Sequence, residues 1–191
     1  MSLGLVCLLV MSLIVLRAMW IWLEDFNTIE MKSTLDGNEY NVQEDLNCPK
    51  CAADLLAQVH TNTKELINVL DPNDPRTQRI KSRYDSDNIY EGKPNGGSDT
   101  SYSLNKGQKI VYCLRSGRNN DKLHDLNLVQ YVAIHELGHL ASAGWGHGAE
   151  FRKNFSWLLR EANKNGIWKY ENYRKNPREY CGIMINATHP F

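Results

Sequence analysis

The apolar positions of this chain change their period several times. Residues 2–23, "SLGLVCLLVMSLIVLRAMWIWL", are apolar on every face and carry one charge, Arg17. A helix of that length spans roughly 30 Å, the thickness of a hydrocarbon core. Arg17 lies about a turn and a half from its end and can snorkel to the interface, while Trp20 and Trp22 suit the aromatic belt. No basic segment precedes the run and no small-x-small site follows it, so it predicts a retained transmembrane anchor over 1–23 in preference to a cleaved signal peptide. The position of Arg17 places the domain that follows on the cytosolic side. This is the pattern of a single-pass membrane protein.

Residues 24–47 are polar and acidic, show no sustained period, and predict a tether. The domain proper is then expected over 48–191. From Ala52 the apolar positions Leu55, Leu56, Val59, Leu66, Ile67 and Leu70 follow a helical period that Asp71-Pro72 stops. "RTQRIKSR", 76–83, predicts a short basic helix, and "EGKPNGGSDT", 91–100, a loop. Ser101–Leu104 and Gln108–Arg115 flank an Asn-Lys-Gly turn and predict a hairpin, with Ile110, Tyr112 and Leu114 on one face. The edge of such a hairpin can pair with an extended peptide. A helix follows, capped by Asn127 with Gln130, carrying Leu128, Val132, Leu137 and Leu140, and stopped by Gly144. Phe151, Phe155, Leu158, Leu159 and Ala162 make the apolar stripe of another helix, ending at Gly166. The succession is that of an α+β domain.

Charge changes this picture little. The chain has 22 basic and 22 acidic residues. Residues 1–75 hold 4 basic and 11 acidic, a net of −7, and residues 151–191 hold 8 and 3, a net of +5. No strong basic excess marks a nucleic-acid binder. The five cysteines have no dense spacing, and Cys48-Pro-Lys-Cys51 reads equally as half a zinc clip, a redox pair, a local disulfide or two incidental thiols. Sequons at Asn154 and Asn186 read as chance, Asn154 because it falls within a predicted helix.

The chemistry concentrates in "HELGHLASAGWGHGAEF", 135–151. On a helix His135 and His139 project from one face and can grip one ion, while Glu136, turned by about 100°, stays beside the ion without ligating it. Chance produces H-E-x-x-H in roughly one such chain in a hundred. A closed structural zinc site needs a fourth ligand, for which Cys113 or Cys181 would have to fold in, and has no use for the glutamate. The metzincin spacing would require glycine at Ser142 and histidine at Trp145, and is excluded. His147, between Gly146 and Gly148, is favoured as third ligand over Glu150.

The segment "HELGH…GWGHGAEFRKNFSWLLREA" resembles the WLM and SprT/Spartan groups of minimal zinc metallopeptidases over about 128–165. "QRIKSRYDSDNIYEG", "KIVYCLR" and "YCGIMIN" are similar to the WLM-like proteins of large DNA viruses. The resemblance implies a minimal zincin fold with one zinc ion, His135, His139 and His147 as ligands and Glu136 as general base. Unlike cellular members, this chain has an apolar leader, no net charge and no evident ubiquitin- or SUMO-binding tail. Three histidines leave a position for water, whose pKa zinc lowers toward about 7 and whose proton Glu136 can take. The expected activity is a membrane-anchored zinc endopeptidase acting on protein or peptide. His124, Tyr170 and Tyr173 are candidates for stabilising the oxyanion. The alternative is a structural membrane or virion protein on the same scaffold, with viral structural proteins as partners.

Overall fold

The computed structural model describes residues 28–94, 100–117 and 122–187, together with Leu5, Val6, Met11, Ser12 and Val15. The predicted anchor therefore lies, apart from those five residues, outside the described ones. No helix among the described residues is long and apolar enough to cross a membrane.

A five-stranded sheet has the order β1-β2-β3-β5-β4, from β1 (Thr28–Lys32), β2 (Glu39–Gln43), β3 (Ile89–Gly92), β4 (Tyr102–Leu104) and β5 (Lys109–Cys113). The outer pairs β1–β2 and β4–β5 are antiparallel, and β2–β3 and β3–β5 are parallel. The connection from β2 to β3 runs through α1 (Pro49–Val69) and α2 (Pro75–Arg83). Two short ribbons follow, β6 (Arg115–Ser116) with β7 (Lys122–Leu123), and β8 (Arg178–Tyr180) with β9 (Ile183–Ile185). Between them lie α3 (Leu126–Ala141) and α4 (Ala149–Lys164). The core forms where α1 and α3 cover the sheet and α4 closes over α3, through Leu56, Leu66, Ile110, Tyr112, Ile134, Leu137, Phe155 and Leu158. Each such side chain contributes roughly 1.5–3 kcal/mol on full burial.

The α+β expectation holds, and three of its parts need correcting. Residues 24–47 are not simply a tether, because β1 and β2 lie within them and extend the sheet. Tyr40 and Val42 point into the core, and Gly37, at a φ of +75°, turns the hairpin. The domain thus begins by Thr28 and not at residue 48. Glu91 and Gly92, read as loop, complete β3. Glu91 is buried because Arg115 reaches it at 2.6 Å and the backbone N–H of Gln43 donates to it at 2.9 Å. Arg115 also donates to the carbonyls of Asn47 and Cys48, which ties the start of α1 to the sheet.

The third correction concerns the ends of α3. Its N-cap is Asp125, whose carboxylate accepts from the N–H of Leu128 at 3.0 Å. Asn127 instead exchanges two hydrogen bonds with the backbone of Lys169. The helix ends at Ala141, before Gly144, because Ser142 turns to an extended conformation and donates its hydroxyl to the Gly138 carbonyl at 2.7 Å. The cysteines pair as Cys48–Cys51 and Cys113–Cys181, which fixes the first as a local disulfide and withholds the second pair from any metal. Asn154 is buried and donates to Ser142, so its sequon faces the interior.

Candidate metal centre

His135 and His139 lie one turn apart on α3, and the connector 142–148 returns His147 to them. The Nε2 atom of His147 lies 3.0 Å from that of His135 and 3.2 Å from that of His139. Among the described residues these three form the one cluster of potential metal ligands, with all ligand atoms within 4.8 Å of one another. Two nitrogens bound to one tetrahedral zinc at 2.0–2.1 Å would be roughly 3.3 Å apart. The donor set therefore fits zinc in number, type and spacing. Burial, the nearby His147 ring and Lys106 together push the pKa of His139 down to about 4, which keeps it in the neutral, ligating form at neutral pH.

The connector is held from both sides. Its turn uses Gly146, at a φ of +74°, whereas Gly148 has an ordinary negative φ and serves as the N-cap of α4. The last carbonyls of α3 lack helical partners. Arg83 donates to those of Leu140 and Ser142, Arg79 to that of Ala141, and Lys106 to those of Ser142, Ala143 and Gly144 at 2.9, 2.5 and 3.0 Å. Cations at a helix C-terminus also suit its dipole. Gly107, beside Lys106, has a φ of +109°, and a Cβ there would lie 2.1 Å from the Arg83 carbonyl oxygen, so only glycine brings the hairpin turn this close to α2. Glu150 points away from the cluster. Its carboxylate accepts from the N–H groups of Ala143 and Gly144 at 2.8 and 3.1 Å, which is why His147 and not Glu150 joins the two helix histidines.

Phe151, the third residue of α4, forms the floor of the cluster. Its ring centroid lies 4.8 Å from that of His135, 4.3 Å from His139 and 4.8 Å from His147. Gly138 permits this approach, since a Cβ there would meet the Phe151 ring at 3.0 Å.

Glu136 is 4% exposed and points from α3 toward β4. Burial pushes its pKa up to about 8 in the metal-free chain, against the backbone and side-chain hydrogen bonds from Ser103, which favour the ionised form. A cleft of about 300 Å³ runs between β4 on one side and the connector on the other, with His135, Glu136, His139 and His147 in its floor. Tyr102, Lys106 and Trp145 also line it, and the Lys106 ammonium lies 4.8 Å from the Trp145 ring centroid.

None of the three predicted oxyanion stabilisers lines this cleft. His124 faces a separate hollow with Lys122 and Arg178, and its Nε2 accepts from the N–H of Cys181 at 3.3 Å. Tyr173 is buried edge-on against Tyr131, and Tyr170 lies near Trp168. The tail that carries the tyrosines packs against the N-terminal part of α3, through Lys169 on Asn127 and through Trp168 and Tyr173 on Tyr131, one turn before His135, and sequence order alone does not show this. Ser103, Lys106 and Trp145 also line the cleft, and no pattern in the sequence singles them out for it. The Asn-Lys-Gly turn was visible, but nothing local marks the reach of Lys106 across to α3.

No family model matches the chain. An uncharacterized protein of Acanthamoeba polyphaga mimivirus is 37% identical over 123 residues, covering 64% of this chain and 61% of that protein. An uncharacterized protein of Invertebrate iridescent virus 6 is 26% identical over 125 residues, covering 63% and 68%. The chain thus matches about three fifths of the length of its mimivirus relative. Among solved structures, Wss1 from Saccharomyces cerevisiae superposes with a TM-score of 0.52 at 17% identity, over 65% of this chain and 89% of that one. A Wss1 mutant gives 0.52 at 16%, over 66% and 92%. The chain therefore has viral relatives and shares its mixed α+β fold with Wss1.

Proposed function

We propose that this chain is a zinc-dependent peptidase that takes its substrate in extended form along β4. The observation that carries this reading is the convergence of three histidine Nε2 atoms beside a buried glutamate that is not one of them. The fold shared with Wss1 supports a zinc-dependent, protease-like activity, in line with the WLM resemblance of the histidine segment.

Three protein ligands leave a position open, as in catalytic sites and unlike closed structural ones. Zinc, when bound, supplies Lewis acidity toward a peptide carbonyl and acidifies water. The chain supplies the rest. Glu136 takes a proton from the attacking water and returns it to the leaving amine. Ser103 fixes the direction of its carboxylate, and burial raises its affinity for that proton. Strand β4 ends the sheet and is paired within the sheet to β5 alone, among the described residues. Tyr102 and Leu104 are exposed on its outer face, and Trp145, 76% exposed, stands on the opposite lip. These apolar rims suit the side chains of an unfolded protein segment.

Attachment to a membrane through residues 2–23 belongs to this proposal and rests on the sequence. The five described residues there are helical and exposed, four of them large and apolar. A structural role on the same scaffold makes no use of a buried carboxylate hydrogen-bonded to Ser103 beside the histidines, so the peptidase is favoured. The test uses membrane fractions and the detergent-solubilised full chain. Retention through carbonate extraction, close to one zinc per chain, and chelator-sensitive cleavage of an unfolded protein are expected. Absence of zinc, or cleavage indifferent to chelator, contradicts the peptidase reading, and release by carbonate contradicts the anchor.

A further inference from the structure

The Cys48–Cys51 pair takes no part in the reading above. Both residues are exposed, and their disulfide closes across three positions at the start of α1. The other disulfide is its opposite. Cys113 and Cys181 are buried in the core and join segments 68 residues apart.

Cys48 is the N-cap of α1, a helix of 21 residues, and Pro49 occupies its first turn. At a φ of 53° the backbone of Cys48 is left-handed and carries its Sγ over the open end of the helix, where it accepts from the N–H of Cys51 at 3.3 Å. Helix N-termini stabilise a thiolate through their unpaired N–H groups and dipole. The backbone beneath has an anchor besides the disulfide. Arg115, held by Glu91 at 2.6 Å, donates to the carbonyls of Asn47 and Cys48, bonds that do not involve the sulfurs.

We propose that Cys48–Cys51 is a thiol–disulfide exchange site, independent of the metal centre, whose partners are accessible dithiols and disulfides. In the reduced form the Cys48 thiolate attacks one sulfur of an outside disulfide, and the other sulfur leaves as a thiolate. Cys51, losing its proton, then attacks Cys48 Sγ, re-forms the internal bond and releases the second outside thiolate. Two electrons pass from the pair to the partner, and the two protons lost by Cys48 and Cys51 balance those taken up by the two outside thiols. The oxidised form runs the same steps backward with an outside dithiol. The Cys113–Cys181 bond, shut away from any attacking thiolate, does not exchange.

The test incubates the zinc-loaded full chain in glutathione buffers of graded reduced-to-oxidised ratio, with acid quenching, alkylation and peptide-resolved mass spectrometry. Cys48–Cys51 is expected to open at a ratio at least about 10-fold less reducing than that needed for Cys113–Cys181. In Cys51→Ser, Cys48 is expected to accumulate as a mixed disulfide with glutathione and to alkylate with a midpoint below the roughly 8.5 of a free cysteine. Opening of both disulfides at one ratio overturns the proposal in the wild-type chain, whatever the variant does. An ordinary alkylation profile for Cys48 in a folded Cys51→Ser chain overturns it as well.

Discussion

The rings of Phe151 and His139 stack with centroids 4.3 Å apart and planes inclined by 29°. His139 is thereby fixed between an apolar floor and the ligand atom of His147, and the same ring touches His135 and His147. Orientation of the three imidazoles is thus a packing property of α4 against α3. Phe151→Leu keeps most of the buried volume and loses the flat surface. It is expected to stay folded and to weaken zinc binding by about 10-fold, the lower end for groups that orient ligands. Competition against a chromophoric chelator measures this. Unchanged affinity in a folded Phe151→Leu chain removes Phe151 from the account.

Lys106 ties the hairpin turn to the connector through three carbonyls. Lys106→Met breaks all three bonds and frees the segment that presents His147. Zinc affinity is expected to fall by roughly 10-fold, with partial recovery in Lys106→Arg, which restores donors and charge. Equal affinity in the Met and Arg variants would show that the ammonium does not hold the site.

Arg115 and Glu91 form an ion pair in which both side chains are almost wholly buried, at 1% and 0% exposure. Arg115→Met strands a buried carboxylate, and its expected cost is about 3–5 kcal/mol of folding stability. Adding Glu91→Gln removes the stranded charge and should recover part of that loss. Urea denaturation of the two variants decides. A double variant no more stable than the single one contradicts the pairing.

His60 lies with its Nδ1 2.9 Å from the Tyr84 hydroxyl, and burial, aided by Lys64, holds its pKa below the ordinary 6.5. The unfolded chain therefore binds this proton more readily than the folded one. The stabilising contribution is complete above pH 6.5 and is lost as pH falls through the lowered value. With zinc present, the wild-type chain should lose stability below pH 6.5 more steeply than His60→Gln. Parallel denaturation curves for the two would show that His60 does not contribute.

Helices α1, α3 and α4 and strand β5 were legible because each buries a face long enough to print its period on the sequence, whereas α2 and β4 bury little and were marked by a basic run and by the Asn-Lys-Gly turn. The histidine cluster was legible for the same reason, since His135, Glu136 and His139 sit within one such helix and Gly146 marks the turn that returns His147. The hairpin β1–β2 was not. Its strands are five residues long, β1 ends the sheet and is half-exposed, and only Tyr40 and Val42 of its apolar side chains are fully buried. Glu91 hid β3 because a charged residue reads as surface until its partner, Arg115, is brought beside it by the fold. Lys106, Ser103 and the Cys113–Cys181 bond belong to the same class, being set by pairings distant in sequence that no local pattern records.

In the proposed mechanism Glu136 works on the reaction and not on the metal. It is buried beside the three ligands and bonded to Ser103, so Glu136→Gln preserves shape while removing the basic oxygen. The decisive measurement is zinc content and peptidase rate on the same preparation of Glu136→Gln and wild type. Zinc close to one per chain is expected in both, with a rate lowered by about 10²–10⁴-fold in the variant, the usual worth of general-base assistance. An unimpaired rate, or loss of the zinc together with the rate, contradicts that mechanism.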